Sequence, residues 1–430
     1  MIKLSRLIIA ITITIFCFID IQAQQLSLDS VEVIWEEAPH NGFPLMIYFE
    51  GYYYVSFREG ENHGASAGSV RIIRSEGDGE WESVLFIEDE RGWDIREGHF
   101  SILPDGRLHL AYPAFNIDGP PHYLWTYMII SEDGTNWSEP ARFPFQNIWT
   151  YEMAWYDTIG YVLGDYWGDA RTYVLYSTID GIDYSEVDSL IQDEDMYGAN
   201  ESDIIFDDDG HLWAAIRSGD NNLIIADADP PYTDWRIRIG DHNPGRGRPE
   251  MIRLPDGSII LGSRYFNNAA LYYLDLDSVI TDTALILPSG GDSGYPAMTL
   301  QDGKMQVVYY STHVDTISRI YFAHVDYNIV GISDRPEFSL IPNYTHISSI
   351  YPNPFNSAIT IEFQNAVKAQ LNLTLYDILN RKVAVIQDKT FSPGNHKIVH
   401  YFQDISNGTY FVQIRSPLAV SNTVRIIYLK

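Results

Sequence analysis

The stretch Ile204-Ile205-Phe206-Asp207-Asp208-Asp209-Gly210-His211-Leu212-Trp213-Ala214-Ala215-Ile216-Arg217 reads as two strands joined by a tight turn. Asp-Gly between two apolar runs is a strong hairpin signal, because glycine takes the positive φ of the turn at no steric cost. Outward from it the pattern recurs. Phe49-Glu50-Gly51, Pro104-Asp105-Gly106, Thr158-Ile159-Gly160, Pro255-Asp256-Gly257 and Gln301-Asp302-Gly303 each precede an apolar or alternating run. The glycines at 51, 106, 160, 210, 257 and 303 are thus 55, 54, 50, 47 and 46 residues apart. A repeat near fifty residues holds four short strands, the mark of propeller blades. Helical periodicity is almost absent. The expected class is all-β: a six-bladed β-propeller over residues 24–334, a linker over 335–346 and a small immunoglobulin-like β-sandwich over 347–430. A sandwich with evenly spaced hairpins is the competing reading.

A second repeat runs through Ser75 to Trp81, Ser131 to Trp137 and Ser177 to Tyr184, as Ser, Asp-Gly, aromatic. The hydroxyl and carboxylate cap the turn's N–H groups while the aromatic packs beneath. These turns resemble the Asp-box of sialidase-type propellers. The box is structural and argues for fold, not for catalysis.

The chain has 430 residues, a formal net charge of −30 and 45% hydrophobic residues. A surface this acidic repels phosphates, so nucleic acid is not an expected partner. The first 23 residues read as a signal peptide: Lys3 and Arg6, an apolar run from Leu7 to Ile19, and a small residue at Ala23. That run is too short and wrongly flanked for an anchor, so the mature chain is expected to have no membrane span. The single cysteine, Cys17, falls within it. A mature chain would then hold no disulfide, thiolate metal site or cysteine nucleophile. Asp207-Asp208-Asp209-Gly210 lacks the spaced ligands of a calcium loop and reads as a turn. His63, His99 and His313 lack paired metal-ligand spacing. No metal and no cofactor are expected.

The C-terminal stretch carries Tyr351-Pro352-Asn353-Pro354-Phe355-Asn356, the alternating Leu371 to Asp377, Pro393-Gly394-Asn395-His396, Asn407-Gly408-Thr409-Tyr410-Phe411 and a final Lys430. In order and spacing it resembles the sorting domain of the type IX secretion system of Gram-negative bacteria. The resemblance implies passage across the outer membrane by that machinery, with residues 347–430 as its contact, and release or display outside the cell. The residues alone give a small seven-strand-like sandwich, open to a passive adhesive role.

In a propeller blade the first strand runs along the central channel and the second returns. The start of the first and the end of the second therefore share a face. Arg58, Arg217 and Arg264 each stand seven residues after a hairpin glycine, at 51, 210 and 257. Three converging guanidiniums repel one another unless an anion neutralises them, and the planar fork suits a carboxylate. Three separately salt-bridged arginines are the competing reading.

At these residues the chain resembles the sialidases, which clamp a sugar carboxylate with three arginines. The resemblance implies that role for Arg58, Arg217 and Arg264. It also implies a glutamate base at Glu201, sixteen residues before Arg217, and a nucleophile at Tyr295. A phenol is a poor nucleophile at neutral pH unless a base takes its proton, as Glu201 would. Residues 35–325 are similar to bacterial propellers called sialidase-like, through Phe57-Arg58-Glu59-Gly60 with His63, Asp94-Ile95-Arg96, Asp229 to Trp235 and Tyr309 to His313. Asp94 and Arg96 thereby join the expected substrate-binding residues. One departure stands out: the family's aspartate acid/base is missing from the loop Glu59 to Gly68, which offers Glu59, Glu61 and His63 instead. Asp94 is a further candidate. The expected function is a secreted sialidase-like glycoside hydrolase of acidic glycans, with Glu61 or His63 as proton donor. A non-catalytic glycan-binding propeller and a surface adhesion protein are the alternatives.

Overall fold

The computed structural model describes residues 26–327 and 346–429, apart from 65–66, 78, 117–122, 168–171, 192–197, 220–221, 241–243, 366–368, 378–380, 393, 403–404 and 416–423. The expected signal peptide with Cys17, most of the linker, Asp78 and Lys430 lie outside the described residues. The chain forms two compact units, 1–330 and 331–430.

The first unit is six antiparallel sheets built in chain order. Blade 1 pairs His40–Phe49, Tyr52–Gly60, Ser69–Ser75 and Glu82–Ile87 in sequence. Blade 2 has a broken inner strand: Asp94–Ile95 and His99–Ile102 both pair with Leu108–Phe115. Blades 3, 4 and 5 repeat the four-strand meander from Ile148, Asn200 and Glu250. Blade 6 has three strands of its own, Ser293–Gln301, Lys304–Ser311 and Arg319–Tyr327. Its fourth is the N-terminal strand Leu26–Trp35, which pairs antiparallel with Arg319–Tyr327 from Leu26↔Tyr327 to Trp35↔Ile320.

Hydrophobic burial closes the ring. Stacked blades bury both faces of a strand, so inner strands read as unbroken apolar runs. Leu212 to Ile216 is such a run, buried throughout. Six apolar cores fill the six seams. Val70, Ile72, Leu108 and Leu110 join blades 1 and 2. Met128, Phe143, Val162 and Tyr176 join blades 2 and 3. Leu163, Leu175, Leu212 and Ile224 join blades 3 and 4. Trp213, Ile225, Leu261 and Tyr272 join blades 4 and 5. Ile260, Leu271, Val307 and Tyr309 join blades 5 and 6, and Val55, Phe57, Val308 and Tyr310 join blade 6 to blade 1.

Five of the hairpin glycines hold positive φ, from 75° to 90° at 51, 106, 210, 257 and 303. Gly160 does not. The blade 3 turn is Asp157-Thr158, with Asp157 at φ 53° and Gly160 inside the strand. Between third and fourth strands, Gly134 N–H donates to Ser131 Oγ at 2.8 Å, and Asp133 accepts from the N–H groups of Thr135 and Asn136. In the next blade the hydroxyl is Thr178, not the expected Ser177: Gly181 N–H donates to Thr178 Oγ1 at 2.9 Å.

The second unit holds seven strands in sheets of three and four, around a core that includes Phe355, Ile361, Leu373, Val412 and Ile426.

Candidate active site

The inner strands of blades 1, 4 and 6 each carry a bulge at the same end, between Gly42 and Leu45, Asn200 and Ser202, and Gly294 and Ala297. The residues in these bulges are Phe43, Glu201 and Tyr295, with φ of 60°, 46° and 52°. Left-handed backbone at a bulky residue costs about 1–3 kcal/mol and persists only where the surroundings enforce it. A bulge re-aims one side chain out of the strand's alternation. Here it turns all three toward the mouth, where the second strands of the same blades bring Arg58, Arg217 and Tyr310 opposite Gly42, Asn200 and Gly294.

Tyr295 is the centre. Its hydroxyl donates to Glu201 Oε1 at 2.6 Å. Arg217 Nη1 donates to Glu201 Oε2 at 2.6 Å and to the Tyr295 hydroxyl at 3.3 Å. The Arg264 guanidinium lies 5.2 Å from the centre of the Tyr295 ring, and Arg248 lies 5.4 Å from it. Arg264 donates to the Tyr310 hydroxyl at 2.7 Å, yet its buried Nε has no hydrogen-bond partner among the described residues. The side chains of Arg217 and Arg264 are 26% and 21% exposed, so both reach solvent from an enclosed wall.

The electrostatics follow from these contacts. Burial pushes the Glu201 carboxyl up, but Arg217, the hydrogen bonds from Tyr295 and Arg217, and the charge of Arg248 outweigh it and hold it below the usual range. Burial and the Glu201 charge push the Tyr295 phenol up against the pull of Arg217 and Arg264. At rest the pair is therefore a neutral phenol hydrogen-bonded to an ionised carboxylate. A carboxylate so placed can accept the phenol's proton.

Two of the three expected clamp arginines meet at Tyr295; the third does not. Arg58 is fully buried, with Nε donating to Asp94 Oδ1 at 2.8 Å and Nη1 donating to the Asn62 carbonyl at 2.8 Å. Asp94 is equally buried, and Arg96 Nε lies 2.8 Å from its other oxygen. This ion-paired group lies close beneath Gly68: a Cβ built there would stand 2.6 Å from Asp94 Oδ1. The expectation that Arg58 and Asp94 touch substrate is corrected by that burial. Arg96, 15% exposed, sits between the rings of Phe43 and Phe115 at 5.6 and 5.4 Å.

Of the two expected proton donors, Glu61 is exposed on the loop and makes no hydrogen bond or ion pair among the described residues. His63, 53% exposed, is turned inward: Nδ1 lies 2.8 Å from Asp292 Oδ2, and its ring meets Phe43 at 4.9 Å. His40 Nε2 reaches the same oxygen at 3.0 Å, and the Tyr310 hydroxyl donates to Oδ1 at 3.0 Å. His99 and His313 stay apart from His63. His99 lies buried 3.3 Å from Glu152, and His313 bonds Ser311. The sequence reading missed Phe43, His40, Asp292 and Tyr310. Tyr310 was within reach, since it stands seven residues after Gly303, in the arginine column.

Below the mouth stand buried Glu97, Asp203 and Glu250 and part-buried Glu152, with Arg248, which lies 3.5 Å from Glu152 and 3.4 Å from Glu250. Burial pushes Glu97 and Asp203 up, and pushes Glu250 up to about 8 with help from the charge of Glu152.

Residues 349–428 match the family model described as the secretion system C-terminal sorting domain. The second unit is a type IX sorting domain. It directs the chain to the cell surface or the extracellular space. Among the described residues no helix is long and apolar enough to cross a membrane. No curated protein matches the chain. Among solved structures, a protein of unknown function from Dyadobacter fermentans aligns with 71% of this chain and 100% of its own, at 18% identity and a TM-score of 0.60. The NanB sialidase of Streptococcus pneumoniae aligns with 68% of this chain and 70% of its own, at 10% identity and a TM-score of 0.55. The GH93 α-L-arabinofuranosidase of Fusarium graminearum aligns with 69% of this chain and 97% of its own, at 11% identity and a TM-score of 0.55. The likeness is one of fold: the sorting domain is joined to a six-bladed propeller of the kind that glycoside hydrolases use.

Proposed function

We propose that the propeller is an exported retaining glycosidase of acidic sugars. The observation that carries this reading is the 2.6 Å hydrogen bond from Tyr295 to Glu201, bridged by Arg217. Arg217 and Arg264, whose side chains reach solvent, bind the sugar carboxylate. The Tyr295 oxygen attacks the anomeric carbon as its proton passes to Glu201. The glycosidic bond breaks, and the leaving oxygen takes a proton from His63, which Asp292 orients. Water then attacks the anomeric carbon and gives its proton to His63, while the Tyr295 oxygen leaves and takes its proton back from Glu201. A neutral phenol suits a carboxylate-bearing anomeric centre, where an anionic carboxylate nucleophile would be repelled; sialidases use this variation on the two-carboxylate scheme.

A ring-fluorinated glycosyl fluoride tests it, in sialic acid and hexuronic acid forms. Mass spectrometry of peptides should find the sugar on Tyr295 in the wild type and no adduct in Tyr295→Phe. Tight binding of an acidic sugar with neither adduct nor turnover would make the propeller a glycan-binding module instead.

A further inference from the structure

The seam where blade 6 meets blade 1 brings two imidazoles and a carboxylate to one point. His40 opens the inner strand of blade 1, His63 lies on the loop that follows Tyr52–Gly60, and Asp292 precedes the inner strand of blade 6. Their ligand atoms, two ring nitrogens and a carboxylate oxygen, all lie within 4.8 Å of one another. In sequence the successive members are 23 and 229 residues apart, so no metal-ligand spacing marks them.

The three donors are held in place. Asp292 divides its oxygens. Oδ1 accepts from the Tyr310 hydroxyl at 3.0 Å, with Arg264 3.8 Å away, and Oδ2 is left to His40 Nε2 at 3.0 Å and His63 Nδ1 at 2.8 Å. The Asp292 backbone N–H donates to Thr312 Oγ1 at 2.9 Å. His40 is buried, and its ring uses the space that Gly42 leaves: a Cβ on Gly42 would stand 2.6 Å from its Cε1. Beside His63, Arg58 donates to the Asn62 carbonyl at 2.8 Å, and Arg96 donates to the His63 carbonyl at 3.4 Å. The cluster opens to solvent through the side chains of His63 and Asp292, 53% and 32% exposed.

Two imidazoles and one carboxylate are the donor set of a borderline divalent cation such as zinc, whereas magnesium and calcium prefer oxygen alone. In a tetrahedral zinc site neighbouring ligand atoms stand about 3.3 Å apart. The separations here bracket that value, from 2.8 and 3.0 Å for the two nitrogen–oxygen pairs to an upper bound of 4.8 Å. A neutral imidazole nitrogen gives a proton to a carboxylate in one tautomer and a lone pair to a cation in the other, so loading the site changes tautomers and not the fold. Outer support is incomplete: buried His40 Nδ1 has no hydrogen-bond partner among the described residues. Such partners are worth about 10–100-fold in metal affinity, which makes this an exchangeable site and not a permanent structural centre.

We propose that His40, His63 and Asp292 bind one exchangeable divalent cation of the zinc class at the edge of the mouth, with its remaining position open to water. The inference stands on the donor set and does not rest on the acidic-sugar reading.

Calorimetric titration of the whole mature protein, stripped with chelator and titrated with zinc chloride, should show one site with a Kd on the order of micromolar. His63→Ala removes a half-exposed loop side chain, so its melting temperature without zinc should match the wild type. It should weaken the site by about 100-fold or more, since losing a ligand exceeds losing an outer partner. Asp292→Asn should weaken it as well, and calcium chloride should neither fill the site nor displace zinc. A wild type with no zinc site tighter than millimolar overturns the proposal. So does a zinc site that either variant keeps at full strength, or one that calcium fills equally well. None of these outcomes bears on the acidic-sugar reading, which the adduct on Tyr295 tests separately.

Discussion

Glu201 and Tyr295, 94 residues apart and on inner strands of blades 4 and 6, meet at 2.6 Å with both backbones in left-handed conformation. Each sits in a bulge, which takes its side chain out of the strand's regular alternation.

Arg217 sets the protonation of this pair. The proposed role of base requires Glu201 to be ionised, and Arg217 helps hold its carboxyl below the ordinary value of about 4.3. The acid limb of the kcat/KM profile should therefore lie below pH ~4.3 in the wild type. Arg217→Met should move that limb upward by about a unit or more, as well as lowering the plateau. An unmoved limb would show that another group controls it.

Arg217 and Arg58 share one sequence column and have opposite consequences. Arg217→Lys keeps charge and loses the fork, so affinity for an acidic sugar should fall roughly 10- to 100-fold with little change in melting temperature. Arg58→Lys, inside a fully buried ion pair, should behave in reverse: destabilised by about 3–5 kcal/mol if the pair is broken, with affinity per folded molecule nearly intact. Melts and titrations of the two variants side by side decide this.

The channel makes stability depend on pH. Glu250 is held at about 8 when folded, well above the ordinary value near 4.3. Its contribution is fully present below pH ~4 and is lost as pH rises through 8, because ionising it inside the channel costs free energy that the unfolded chain does not bear. Glu250→Gln cannot ionise. Its melting temperature relative to the wild type should climb between pH 4.5 and 8.5, whatever the offset at low pH. A constant difference across that range would contradict the assignment.

Each unit has its own core, so removal of residues 347–430 should leave the propeller folded with an unchanged melting temperature. The truncated protein should accumulate in the periplasm, as fractionation can show. A truncated propeller that still leaves the cell would separate export from the sorting domain.

The blade repeat was legible because hairpin turns demand glycine and stacked blades demand unbroken apolar runs, both local properties of sequence. The arginine column was legible for the same reason, and it brought Arg217 and Arg264 to Tyr295. It failed at Arg58, because a column fixes which end of a blade a residue occupies and not whether a neighbour takes up its charge. Asp94, 36 residues on, does so. In blade 3 the column slipped, since Gly160 lies past the turn that Asp157 makes with its own positive φ. Asp292 carried no periodic signal at all. Its place beside His40 and His63 depends on the seam where the ring closes, and no local pattern encodes that seam.

That seam sets a timetable. Leu26 pairs with Tyr327, so the first strand of the propeller finds its partner only when the last has arrived. Until then blade 6 lacks an edge and the core shared by blades 6 and 1 stays open to water. A contact this far apart in sequence forms slowly, so closure of the ring is expected to come after the local hairpins of the blades. The cleft shares this constraint: Tyr295 and Asp292 arrive with the final blade, alongside the strand that seals the ring. An unfinished propeller therefore has neither a closed ring nor the full cluster around Tyr295.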